Sequence, residues 1–190
     1  MLLRSTLLLA ALLGTAHAEA PPPGRVLSLQ YTAGVASFIG DLRGPDPLFV
    51  NDVQIKVLHM AALEDRLRFH MAIDVLFMGA RAEGGAFAGY DDGAELRVLS
   101  FLFIPSVCGV PVPSIQVCAG IGQGTVNVNA EGDRRDWGTW NYQLQVDYAP
   151  LPWLQLIALG KYVGSVEQEV RGVDSQFSFV TATGGVGVVF

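Results

Sequence analysis

Few side chains in this 190-residue chain carry the means to act on a substrate. His70 and Asp74 stand in the segment LRFHMAIDVLFM, and a carboxylate that orients an imidazole is the working part of many acyl-transfer sites. Four residues of extended strand span about 13 Å, too far for one of these side chains to orient the other. After the first eighteen residues only His59 and His70 remain as histidines, and neither begins a His-x-Ser pair. The only two cysteines, Cys108 and Cys118, offer fewer ligands than a metal site needs. GIGQG at 120–124 is followed by no helix, so it is no phosphate-binding loop. Its glycines, with a parity change towards Val126 and Val128, suit a β-bulge.

The elements that must hold these residues have period two. In LRFHMAIDVLFM, Leu67, Phe69, Met71, Ile73, Val75 and Phe77 oppose Arg68, His70, Ala72, Asp74, Leu76 and Met78. Leu27, Leu29, Tyr31, Ala33 and Val35 oppose Ser28, Gln30, Thr32 and Gly34; Val53, Ile55 and Val57 oppose Asp52, Gln54 and Lys56. Ile115, Val117, Ala119 and Ile121 oppose Gln116 and Cys118, and Trp140, Tyr142, Leu144, Val146 and Tyr148 oppose Asn141, Gln143, Gln145 and Asp147. LQLIALGKY sets Leu154, Leu156, Ala158 and Tyr162 against Gln155 and Lys161. The last residues, Val180, Ala182, Val186, Val188 and Phe190, share one parity. AELRVLSFLFI begins as Leu96 and Val98 against Glu95 and Arg97, then turns apolar on both faces. Eight alternating segments predict an all-β meander.

The first eighteen residues have one early cation, Arg4, an apolar run from Leu7 to Leu13, and the ending Ala16-His17-Ala18. This is the pattern of a secretory signal peptide, and the run is shorter than the roughly 20 residues of a spanning helix. Cleavage after Ala18 leaves 19–190 as one domain, entered through a stiff APPPG leader. A net charge of −6 without a Lys/Arg cluster argues against nucleic acid as a partner. Export also favours a Cys108–Cys118 disulfide over two reduced thiols.

Connections after the second, fourth and sixth segments are compact, while those after the first, third, fifth and seventh are long and polar or Gly-rich. Eight strands with short turns at one end and long loops at the other predict an antiparallel up-and-down transmembrane barrel. A soluble barrel would turn the same apolar stripe inward. Lipid outside is favoured by export, by aromatics near both ends (Phe69, Tyr148 and Phe190; Phe77, Trp140, Tyr142 and Tyr162), by a polar face of small residues, and by an ending on a strand.

The signal peptide, the eight strands and the final VGVVF resemble the small eight-stranded outer-membrane proteins of the OmpA/OmpX type, with OmpW-like barrels a more distant match. The resemblance implies Val186, Val188 and Phe190 as a signal read by the barrel-assembly machinery, with Phe190 facing lipid at the periplasmic rim. It implies a monomer in the outer membrane after Sec-type export, surrounded by lipid and lipopolysaccharide. No peptidoglycan-binding domain is expected after the barrel.

With both termini periplasmic, Lys56, Arg68, His70, Asp74, Glu95, Arg97, Asp147 and Lys161 point inward by parity and are expected to form a paired polar plug. Asp74 is expected to pair with Arg97 or Lys56. His59 has lipid-facing parity. Neither histidine lies near the outer leaflet, where a lipid A-modifying enzyme would need it. No enzyme, cofactor or metal is expected. The leading expectation is a non-enzymatic surface barrel whose long loops contact an external ligand. The alternative is a narrow conduit for small hydrophobic molecules, lined by Leu99, Phe101, Phe103, Ile157 and Leu159.

Overall fold

The computed structural model describes residues 27–40, 48–63, 66–81, 93–130, 133–170 and 173–190. The expected signal peptide and leader lie outside them. The strands are β1 (Ser28–Gly40), β2 (Leu48–Ala62), β3 (Leu67–Arg81), β4 (Glu95–Val112), β5 (Ile115–Ala130), β6 (Asp133–Leu151), β7 (Leu154–Ser165), β8 (Gln168–Val170), β9 (Val173–Ser175) and β10 (Phe177–Val189).

Eight of them close into an antiparallel barrel in the order β1-β10-β7-β6-β5-β4-β3-β2, and β8 and β9 form a separate two-stranded ribbon. Closure gives every strand two neighbours, the only way a sheet can satisfy its backbone in a membrane. The seam is β1 against β10, in register from Ser28↔Val189 to Gly40↔Phe177. Past its end, the Phe190 N–H donates to the Leu27 carbonyl at 3.0 Å. A barrel of eight strands coils tightly, and the seam shows it: a side chain on Gly185 would run into the Tyr31 carbonyl of the facing strand.

Outward positions are apolar along the strands, with Tyr31, Ile73, Phe77, Val117, Trp140, Leu144 and Val186 all exposed. Two expectations fail here. In β4 Glu95, Arg97, Leu99, Phe101 and Phe103 face outward, and Leu96, Val98, Ser100, Leu102 and Ile104 face inward. Glu95 and Arg97 are therefore not part of a plug, and Leu99, Phe101 and Phe103 line no interior pocket. The cause is that the upper lumen is apolar, while the two charges sit at the strand end opposite the short turns, where the outer face meets water. In β5 there is no bulge. Its register with β6 runs unbroken from Ile115↔Tyr148 to Ala130↔Asp133. Val126 and Val128 keep the inward parity of Gln116 and Cys118, and they are apolar because the lumen is apolar at their height.

The strands also run further than expected. β4 continues to Val112 and so carries Cys108, and β5 and β6 reach Ala130 and Asp133. A register shift between Lys56 and Leu58 sets His59 opposite His70; the side chain of His59, expected to face lipid, lies outside the described residues.

Candidate functional site: the barrel interior

The interior has two layers. Towards the short turns it is polar, and among the described residues the buried charged side chains are Lys56, Arg68 and Lys161 with Asp52, Asp74 and Asp147. Their bonds cross the lumen instead of running along one wall. Lys56 Nζ on β2 donates to Asp147 Oδ2 on β6 at 3.3 Å. Lys161 Nζ on β7 donates to Asp52 Oδ2 on β2 at 2.6 Å and to Asp74 Oδ2 on β3 at 2.5 Å. Glutamines extend each of the two ion groups. Gln54 donates to Asp74 and to Gln143, and Gln145 donates to Gln30 and Asp147. Gln30 in turn donates to Gln155. These ion pairs reach from wall to wall and close the lumen at this height.

The structure thus places Lys56 and Asp147 in one bonded group and Lys161, Asp74 and Asp52 in a second, both within the polar layer. Asp52 was legible as inward, since it alternates with Val53, but its place in the second group depends on strand tilt. The partner of Asp74 is Lys161, because Arg97 faces outward and Lys56 is held by Asp147.

Arg68 and His70 lie lower. Arg68 Nη1 donates to Gln116 Oε1 at 3.4 Å, and Gln116 Nε2 is 3.1 Å from His70 Nε2. Cys108 and Cys118 are directly opposite on β4 and β5 and are joined by a disulfide, with Cα atoms 3.9 Å apart. His70 and both sulfurs lie within 4.8 Å of one another, a spacing that would suit a soft metal. The sulfurs are bonded to each other, so neither is a thiolate ligand. His70 and Asp74 hold different partners, Gln116 and Lys161, and form no acid–base pair.

Towards the other end the lumen becomes a hydrophobic core. Val50, Leu76, Leu96, Val98, Val126, Val128, Trp137, Phe177 and Phe179 are buried in one cluster. Trp137 meets Phe177 edge-on at 5.4 Å, and Phe38 meets Phe179 at 5.7 Å. Ile157 and Leu159 point inward as expected. The three terminal residues named for assembly, Val186, Val188 and Phe190, project outward, Phe190 at the rim beside the short turns.

No protein-family model matches the chain, and no curated protein matches it. Solved structures do. Neisserial surface protein A has TM-score 0.62 at 15% identity, covering 86% of this chain and 97% of its own. Ail, the attachment invasion locus protein of Yersinia pestis, has TM-score 0.51 at 11% identity, covering 87% and 97%. Ail in complex with the heparin analogue sucrose octasulfate has TM-score 0.50 at 10% identity, again covering 87% and 97%. At these identities the likeness is one of fold: the chain has the closed eight-stranded transmembrane barrel of the small bacterial outer-membrane proteins.

Proposed function

We propose that this protein is a non-conducting, non-enzymatic barrel of the outer membrane that works through its extracellular end, where it presents its long connections to an external partner. The observation that carries this reading is the filled lumen. A cross-linked ionic layer occupies the lower half, and a close-packed aromatic and aliphatic core the upper half. Eight strands leave an interior that side chains can fill, and here both layers do so. A conduit for small hydrophobic molecules would need the upper core to open, yet Leu76, Val98, Val126 and Phe179 are almost wholly buried there.

The neighbours in fold include one named as a surface protein and one named for attachment and invasion, which agrees with a role at the cell surface. The heparin analogue held by Ail is not carried over. At the extracellular rim Arg81 pairs with Glu95, and Arg134 with Asp136, so the described rim is of mixed sign and not the basic surface a polyanion selects. Two measurements test the proposal. Purified barrel in planar bilayers should give no conductance steps. Cells of a non-adherent host displaying the protein should gain binding to host-matrix or cell surfaces, and should lose it when residues 82–92 are replaced by a short turn. Regular channel steps, or unchanged binding after that replacement, would overturn it.

A further inference from the structure

A second feature lies on the outer wall. Pairing between β4 and β5 runs from Arg97↔Asn129 to Phe103↔Gln123 and resumes at Ser106↔Gly120, lapsing at Ile104 and Pro105. On its other side β4 stays in register with β3 through both residues, as Ala72↔Ile104 and Met71↔Pro105. Proline has no N–H to give the ladder and is rare in central strands. A membrane wall can satisfy its backbone only from within, so a proline there is a departure that calls for a use.

At the lapse the wall is indented by a cavity of about 630 Å³, flanked by Met71, Pro105, Val107, Ile121 and Leu144. That volume lies within the range of small-molecule sites, about 300–1,000 Å³. Ile121 and Leu144 are 63% and 67% exposed, the highest among large apolar side chains away from the strand ends, because they stand as banks of a slot. Gly120 forms part of its floor and so lets the slot reach His70, Ser106 and Gln143 from outside. The floor is not an active site: Ser106 Oγ accepts from Gln143 and His70 is engaged with Gln116.

We propose that this slot is a lateral binding site for one acyl chain of an inner-leaflet phospholipid. Three observations select that occupant. The slot is continuous with the apolar band that faces lipid, so its contents come from the bilayer. Its banks are apolar along their length, which suits a hydrocarbon chain. It lies in the half of the barrel that carries the short turns and both chain ends, hence the periplasmic half. The inference is independent of the loop-binding role.

Barrel refolded into phosphatidylethanolamine/phosphatidylglycerol vesicles, doped with phospholipid bearing a nitroxide on its acyl chain, provides the test. Every barrel immobilises a shell of lipid, so the reading is a difference between variants. Ala119→Phe fills the slot from its own wall position, and Ala182→Phe places the same ring on the outer face of β10. Electron paramagnetic resonance should show one fewer immobilised chain per barrel in Ala119→Phe and no change in Ala182→Phe. Native mass spectrometry after detergent exchange should find one phospholipid on the wild type and on Ala182→Phe, and none on Ala119→Phe. Pro105→Val, which restores the ladder donor, should also lose it and serves as the second variant should Ala119→Phe fail to fold, as judged by gel mobility before and after boiling. Equal lipid in the wild type and the folded slot variants, or retention of a free fatty acid or lipid A in its place, would overturn the proposal.

Discussion

Lys161→Met tests the ionic layer most directly. The ammonium is wholly buried and is shared by Asp52 and Asp74, which are equally buried. Removing one member of a buried pair costs about 3–5 kcal/mol, because the other charge is left uncompensated. Here two carboxylates lose their cation at once. Each also has an oxygen with no other hydrogen bond, Asp52 Oδ1 and Asp74 Oδ1, so little local relief is available. The loss is therefore expected near the upper end, about 5 kcal/mol. With a urea slope of about 2 kcal/mol/M the unfolding midpoint in lipid vesicles falls by roughly 2.5 M. The control is the triple variant Lys161→Met, Asp52→Asn, Asp74→Asn, which removes all three charges. Replacing a whole buried ion cluster is often close to neutral, so the triple variant should recover more than half of the lost midpoint. If Lys161→Met alone costs less than about 1 kcal/mol, or if the triple variant is no better than the single one, the layer is not held together as argued.

The remaining predictions concern the disulfide, the last residue and the histidine. Cys108→Ser with Cys118→Ser should still fold and lose at most about 2–3 kcal/mol, the worth of closing a short loop; non-reduced, unfolded wild type should show no thiol to an alkylating reagent. Phe190→Ala removes one outward aromatic at the rim, a loss of about 3 kcal/mol at most, yet the barrel inserted in cells, counted by surface labelling, should fall clearly if the terminal strand carries the assembly signal that the resemblance implies. His70→Gln should leave the barrel folded and the lipid A of expressing cells unchanged by mass spectrometry, since glutamine keeps a hydrogen bond to Gln116 but cannot act as a base; altered lipid A acylation that disappears in the folded variant would make this an enzyme.

Strand number, closure and facing were legible wherever one face is polar and the other apolar. β3, β6 and β10 show this, and there burial follows the alternation residue by residue. β4 misled because hydropathy cannot separate a lipid-facing residue from one in an apolar lumen. A weaker signal was present: Ser100, Ser106 and Cys108 share one parity, and two serines and a disulfide candidate mark an inward face better than two charges at a strand end. The disulfide partners could be named because no others exist. The partners of Lys161 could not. Which inward charges meet at one height is set by strand tilt and stagger, and neither is written in the period of a strand. The shift at Lys56/Leu58 is invisible for the same reason, since an extra residue in an already apolar run leaves the pattern nearly unchanged.

The two layers depend on each other. An ionic network open to water would be screened and worth little, and an apolar lumen without a polar layer would not specify which strands face one another across the barrel. Stacked, the aromatic core keeps external water from the charges below it, and the charges fix the register of β2, β3, β6 and β7 beneath the core. The same core also serves the extracellular end. Trp137 lies near the outer end of β6, Phe177 opens β10, and the Phe177 N–H donates to Ser165 Oγ at the end of β7 at 2.9 Å. The roots of the outer connections on β6, β7 and β10 are thereby joined to one rigid cluster. Connections that leave from fixed roots lose less freedom on meeting a partner than connections on a loose rim. A filled lumen is what makes the roots fixed, so in the proposed role the packing that would close the barrel to solutes would also prepare its outer end for a partner.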